Sequence, residues 1–378
     1  MVKRQGSNSS QAAPRAKHFW FLVWGISLAL VRWEPAPYDL LFFLILSLHF
    51  KLISWNSRQL LPMALLGLLL FAHVPALGSA LGWAPERAFF YTLITVYLVF
   101  TSVLIMALPK GSILDLLFGY ELGAWISALL GVLAFLKMPG FEGLLREGFR
   151  AVALFKDPNV FGAFLIPALF LALARLEQGR RFWVLPTFAS FLGVLTSLSR
   201  GAWANLCVAL LAWWLLRPRK RIWLPPVFLL LIGGVGISIA AIPDNPIAQR
   251  LGLMPYDEDR FSTQIEALSL ALAMPLGYGP GLSEVRLSYA THNTYVRFLA
   301  EVGWLGLFFW LLILGVSLIW ALFQGLKQRS LWHEVYFVAL LGIAVESLVI
   351  DTLHWRHLWL LLGLVWARHA PPLPHYPR

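Results

Sequence analysis

The chain has 378 residues, of which 59% are hydrophobic and only 13% charged, with 18 Trp and 27 Phe. A soluble domain of this length cannot bury so much apolar surface, whereas a bilayer core takes up roughly 20 apolar residues per crossing. The single cysteine, Cys207, excludes an intramolecular disulfide and a cysteine-based metal site; the net charge of +11 raises nucleic acid as a partner, and the placement of the charges along the chain argues against it.

A basic, Ser-rich segment over residues 1–18, with Lys3, Arg4, Arg15 and Lys17, precedes the first apolar run at 19–31. No small-residue cleavage site precedes Trp33-Glu34-Pro35, and a second apolar run follows at once. The first run therefore reads as a retained span and not as a signal peptide. Charges, prolines and glycines then divide the chain into twelve candidate spans near 19–31, 38–54, 60–75, 87–107, 113–136, 159–174, 182–198, 201–216, 222–242, 294–323, 333–350 and 355–369. All are expected to be helices, because backbone polar groups in lipid have no water to pair with and the alternation of a barrel is missing. The expected fold is an all-α integral membrane protein of about 12 transmembrane helices. It forms a single polytopic domain over 19–369, with cytoplasmic segments at 1–18 and 370–378.

Lys and Arg in the loops orient the bundle. With the N-terminus inside, the inner loops carry Lys51, Arg58, Lys110, the Arg175/Arg180/Arg181 group, the run from Arg217 to Arg221, Lys327, Arg329 and Arg368. The outer turns at 32–37 and 76–87 carry one Arg each. Two outer connections are long, 137–158 and 243–291, the second lying between spans nine and ten. It holds the acidic cluster Asp257-Glu258-Asp259, and then a stretch at 261–274 that reads as a short amphipathic helix on or beside the membrane.

Four polar motifs stand where an even-numbered span begins: Asp157-Pro158-Asn159, Ser197-Leu198-Ser199-Arg200-Gly201, His292-Asn293, and Asp351-Thr352-Leu353-His354-Trp355-Arg356. In the proposed topology all four helices point their N-termini outward, where free N–H groups and partial positive charge favour an anion. Arg200, and Arg260 from the long loop, add bidentate donors suited to phosphate. Together these features predict an outward-facing site for a phosphate or pyrophosphate group. Structural readings stand beside this one. Asp157-Pro158 is also what an N-cap followed by Pro at the first helical position looks like, and Arg200 also suits a snorkelling helix end. Arg297 and Glu301, four apart, read as a local ion pair, and Asp115 and Glu121 as local helix-start or interhelical polar contacts. On a helical projection, Val296, Leu299, Gly303 and Gly306 fall on the side of His292. That stripe predicts a close-packing face which turns His292 into the protein at the lip of the site, as a group able to exchange a proton near neutral pH.

The stretch from Arg260 to Gly306 resembles the signature region of the O-antigen ligase and polymerase family. The matching elements are Arg260-Phe261, the turn Pro275-Leu276-Gly277-Tyr278-Gly279-Pro280-Gly281, and His292-Asn293-Thr294-Tyr295 followed by Glu301-Val302-Gly303-Trp304-Leu305-Gly306. Asp157 with Asn159 and Gly162, Ser199 to Gly201, and Asp351 to Trp359 fit the family's scattered pattern too. The resemblance implies a polytopic transferase of the bacterial inner membrane with its site on the outer face. Such an enzyme moves a glycan from undecaprenyl pyrophosphate to an acceptor hydroxyl, on a lipid A-core sugar in ligases and on another lipid-linked glycan in polymerases. By that resemblance Arg200 and Arg260 are the pyrophosphate ligands and His292 the base. Asp157, Asn159, Ser199, Asn293, Tyr295, Asp351, His354 and Arg356 are supporting residues. The expected transfer is inverting and metal-independent, with no cofactor; membrane lipids are partners and nucleic acid is not.

The rival from another class is a transporter or flippase of lipid-linked glycans. It would be expected to keep ionisable groups near the bilayer midplane and to show related halves, whereas the motifs here gather at one side. An intramembrane hydrolase would need Ser197 or Ser199 paired with His292, and no serine-hydrolase elbow is present.

Overall fold

The computed structural model describes residues 12–217, 224–240, 255–287 and 289–367. Residues 1–11 of the basic head, the basic run at 218–221, the loop segment 243–254, Arg368 and the tail 370–378 lie outside the described residues. The helices in chain order are α1 (Ala12–Ser27), α2 (Pro37–His49), α3 (Leu60–Ala80), α4 (Pro85–Ala107), α5 (Lys110–Phe135), α6 (Pro158–Glu177), α7 (Val184–Thr196), α8 (Arg200–Leu216), α9 (Leu224–Ala240), α10 (Pro255–Ala273), α11 (Ser283–Arg286), α12 (Thr294–Gln328), α13 (Leu331–Glu346) and α14 (Arg356–Val365). A helix thus stands at each expected span; in the long loop α10 covers the helix expected at 261–274 but starts earlier, taking in Asp257-Glu258-Asp259, and α11 follows it. Among the described residues, five stretches are long and apolar enough to cross a bilayer: Ser57–Ala80, Pro85–Ala107, Lys110–Phe135, Pro158–Glu177 and Thr294–Gln328. The other helices are shorter, so twelve crossings remain an expectation of the sequence.

One two-stranded hairpin departs from the all-α expectation. Strands β1 (Leu145–Arg146) and β2 (Arg150–Ala151) pair antiparallel, around a turn with φ of 56° at Glu147 and 76° at Gly148. Positive φ at both turn residues is the twist-matched hairpin geometry. Strands of two residues carry no alternation to read, which is why the sequence did not reveal them.

Helix α6 is the axis of the bundle. Its residues 161–174 are buried on every side, as expected of a helix that is apolar all round, and it packs against α5, α7, α8 and α13. Ion pairs cluster at its C-terminal end. Arg175 meets the fully buried Glu121 at 2.6 Å, which makes Glu121 an interhelical contact and not a helix-start one, and lies 4.1 Å over the ring of Trp183. Arg217, at the end of α8, pairs with Glu177 and lies 3.4 Å from Glu334. At 1.5 Å per residue, roughly 30 Å of helix separates this cluster from the N-terminal ends of α6 and α8.

The sharpest irregularity lies in α12. Gly303 has φ 80° and ψ −174°, which breaks the helix into two pieces. An unbroken helix would pair the carbonyls of Ala300 and Glu301 with the amides of Trp304 and Leu305. Instead the glycine-rich turn enters the gap: Tyr278 N donates to Ala300 O and Gly279 N to Glu301 O, both at 3.0 Å, and Trp304 N donates to Pro275 O at 3.0 Å. The carbonyls of Ala300 and Glu301 and the amide of Trp304 are thereby paired again, as a low-dielectric surrounding requires. The approach is so close that a Cβ on Gly277 would sit 2.4 Å from Glu301 O, and one on Gly303 would sit 2.4 Å from Pro275 O. Gly277 is itself at φ 84°, a region costly for any other residue.

This break corrects the helical projection through His292, Val296, Leu299, Gly303 and Gly306. His292 precedes α12 by two residues with φ 46°, and the helical phase is lost at Gly303. The glycine there serves the break and not a continuous packing stripe.

Gly277→Ala is expected to destabilise the protein by about 2–4 kcal/mol, because both the contact and the φ are incompatible with a Cβ. Gly315→Ala, in the same helix with open space around it, is expected to change stability by no more than about 0.5 kcal/mol. Thermal unfolding in detergent would compare them, and equal melting temperatures would refute the role given to the turn.

Candidate functional site

Three of the four motifs cap the helices they open. Asp157 Oδ1 accepts from Asn159 N at 2.7 Å, Ser199 Oγ from Ala202 N at 3.2 Å, and Asn293 Oδ1 from the amides of Tyr295 and Val296 at 3.0 and 3.1 Å. The fourth differs: α14 begins without a side-chain cap, and Asp351 Oδ1 accepts from Leu353 N at 3.1 Å within its own loop. Capping and site-building coincide, because the caps fix where the first turns of α6, α8 and α12 converge.

Two adjoining cavities lie at this convergence and share Asn159 and Ile350. The first, about 290 Å³, is lined by Arg150, Arg200, Arg260, Asp257 and Gln264, with Phe261, Leu348 and Val349 as apolar lips. Arg200 donates through Nη2 to Asp257 Oδ1 at 2.6 Å, and Arg260 Nη1 lies 3.5 Å from the same oxygen. Three guanidinium groups against one lining carboxylate leave an excess of positive charge. Arg200 and Arg260, far apart in sequence, are brought together here as expected. Arg150 was not anticipated. It is nearly fully buried and donates to Ser197 O and Asn159 Oδ1, each at 3.2 Å. It reaches the cavity because β2 carries it there, and no sequence motif flagged that hairpin.

The second cavity, about 210 Å³, is lined by Asp157, Glu284, His292, Arg297, Asp351 and Trp355 among others. His292 is half-buried in a left-handed backbone conformation, unusual outside glycine though histidine is enriched there. Helix α10 steadies its loop: Gln264 Nε2 donates to Thr291 O at 2.9 Å. Burial, reinforced by the charge of Arg260, pulls the imidazole down to about 4, against the opposing pull of Asp351, Asp157 and Glu284. The ring is therefore neutral at neutral pH, with a free lone pair.

Asp351 reaches the same cavity through hydroxyl contacts. Thr294 N donates to Ser347 O at 2.9 Å, Thr352 N donates to Thr294 Oγ1 at 2.8 Å, and the hydroxyls of Ser347 and Thr352 are 2.6 Å apart. Asn293 Nδ2 adds a bond to Leu348 O at 2.9 Å. Burial would raise the Asp351 carboxyl, but the charge of Arg297 chiefly outweighs it and holds the group below its ordinary value. Arg297 pairs with Asp351, with Glu301 at 3.1 Å and with Glu284 at 4.0 Å. The Arg297–Glu301 pair expected from sequence is present, within a larger network. Glu301 also accepts from Gly281 N and Ser283 N at 2.6 and 3.1 Å, tying the glycine-rich turn to the site.

Other expected supporting residues stand apart from both cavities. Arg356 makes a bidentate pair with Asp39 at 2.7 and 2.6 Å, and Tyr97 donates to the same carboxylate at 2.8 Å. That triad anchors α14 to α2 and α4. Tyr295 Oη donates to Ala344 O at 2.7 Å and so holds α12 against α13. His354 lies behind Asp351, its ring 5.5 Å from that of Tyr91, and burial with the charge of Arg297 pulls it down to about 4.

No curated protein gives a significant match to this chain. Residues 185–311 match the model of a family described as O-antigen ligase. The matched third of the chain contains Arg200, Arg260, His292 and the turn that enters the α12 break, while Arg150, Asp157 and Asp351 lie outside it. The match supports the assignment of the chain to the O-antigen ligase and polymerase family.

Proposed function

We propose that the protein transfers a glycan from undecaprenyl pyrophosphate to an acceptor sugar hydroxyl, as an O-antigen ligase does, at the outer face of the bacterial inner membrane. The observation that carries this reading is the pairing of an arginine-rich cavity with an adjoining cavity that holds a neutral histidine. In the first, Arg200 and Arg260, with Arg150 and the N-terminal turn of α8, suit the pyrophosphate. In the second, His292 takes the acceptor proton as the acceptor oxygen bonds to the anomeric carbon. The bond from that carbon to the pyrophosphate oxygen breaks, and its electron pair leaves with the polyprenyl pyrophosphate. Base and leaving group are assigned to different cavities, a separation that supports attack opposite the leaving group, with inversion. Fixed guanidinium groups meet the charge that develops on the leaving group. The outer-face assignment is supported by the basic inner loops, whose ion pairs sit at the far ends of α6 and α8. A surface-polysaccharide polymerase would use the same chemistry with a lipid-linked glycan as acceptor. A glycan ladder formed without lipid A-core would select that reading, and a product formed only with core the ligase.

His292→Ala is expected to lower transfer at least 100-fold while polyprenyl pyrophosphate binding stays within about two-fold; turnover like that of the wild type would remove His292 from the mechanism. Arg200→Ala and Arg260→Ala are each expected to weaken polyprenyl pyrophosphate binding by about 10-fold or more. Unchanged affinity in both variants would refute the anion site. Protonation removes the base, so transfer should fall as pH drops through about 4, where His292 titrates. An acid limb near the ordinary histidine value of about 6.5 would contradict that environment. With positive charge supplied by arginine, transfer should persist in chelator; loss in EDTA that a divalent ion restores would overturn the metal-independent reading.

A further inference from the structure

The second cavity offers a ligand something different from the first. Asp157, Glu284 and Asp351 present only hydrogen-bond acceptors. Each already has an arginine: Arg146 at 3.1 Å from Asp157, Arg87 at 2.5 Å from Glu284, and Arg297 on Asp351. Those pairs leave oxygen lone pairs open, and the Glu284 side chain is 41% exposed. Arg297 supplies the complement. Its side chain is 7% exposed, it lines the cavity, and its Nη2 is buried with no hydrogen-bond partner among the described residues. A carboxylate oxygen beside an uncommitted guanidinium N–H fits two neighbouring hydroxyls, one donating and one accepting.

Charge sets the selectivity. An acidic ring would meet three carboxylates, a neutral imidazole and one arginine whose charge Asp351, Glu301 and Glu284 already offset, and would be drawn to the arginines of the first cavity instead. A neutral ring with vicinal hydroxyls meets no such penalty. Glu284 is the pivotal group, because it is the most exposed of the three carboxylates. It is also held rigidly, since Arg87 donates to it and, through Nε, to Gly281 O at 2.7 Å.

We infer that the second cavity is the acceptor-sugar subsite, in which Glu284 and Arg297 select an uncharged ring bearing neighbouring hydroxyls and exclude an acidic one. This rests on the transferase reading above. The test uses the full-length protein in nanodiscs with polyprenyl pyrophosphate added, titrated with methyl glucoside and with methyl glucuronide and followed by ligand-observed NMR. The glucoside is expected to bind at least 10-fold more tightly than the glucuronide. Glu284→Gln should narrow that ratio at least 5-fold by admitting the glucuronide, and Glu284→Asp, which keeps the charge, should preserve it. Equal binding of the two sugars by the wild type, no binding of the glucoside, or an unchanged ratio in Glu284→Gln would each overturn the inference. Polyprenyl pyrophosphate binding is measured in the same samples. Its absence from the wild type would sink the transferase reading, whereas its presence with an unselective sugar response would sink the subsite alone.

Discussion

The site hangs on the re-pairing of backbone groups at the break in α12. A helix interrupted in a low-dielectric surrounding leaves donors and acceptors whose desolvation costs several kcal/mol each unless partners arrive. Here the partners are the amides of Tyr278 and Gly279 and the carbonyl of Pro275. Once the turn is seated, Glu301 points its carboxylate at Gly281 N and Ser283 N. That contact sets α11, and with it Glu284, beside Arg297. A backbone constraint thereby becomes a side-chain arrangement.

The buried charges obey the same economy of partners. A buried ion pair rarely adds net stability, but removing one member strands the other at a cost of several kcal/mol. Arg297 serves three carboxylates and Asp39 serves Arg356 and Tyr97. Such shared partners fix register between helices that apolar packing alone would let slide. The hydroxyl contacts among Thr294, Ser347 and Thr352 do the same for the loop that carries Asp351.

Charge is segregated on two scales. Along the helix axes, the pairs around Arg175 and Arg217 lie at one end and both cavities at the other. Within the cavity end, three guanidinium groups and Asp257 line one side of Asn159 and Ile350, and three carboxylates with Arg297 and His292 the other. An excess of positive charge on one side only gives a substrate with an anionic and a neutral portion one orientation.

Much of this was legible in the residues. Apolar runs marked where helices stand, because membrane solvation acts on composition and not on contacts. The cap at Asp157 announced a helix start, because a cap is a local hydrogen bond, and the structure adds caps at Ser199 and Asn293. Arg200, Arg260 and His292 stood out by residue type and position. The sequence could not reveal the hairpin that delivers Arg150, the insertion of the turn into the α12 break, or the commitment of Arg356 to Asp39, more than 300 residues away. The projection through His292 failed because a helical phase extrapolates only while the helix continues, and Gly303 ends it. Local chemistry and solvation determined the fold class and the candidate groups; pairing between distant segments decided which of those groups share a cavity, because only close contact gives each buried charge and each freed amide its partner.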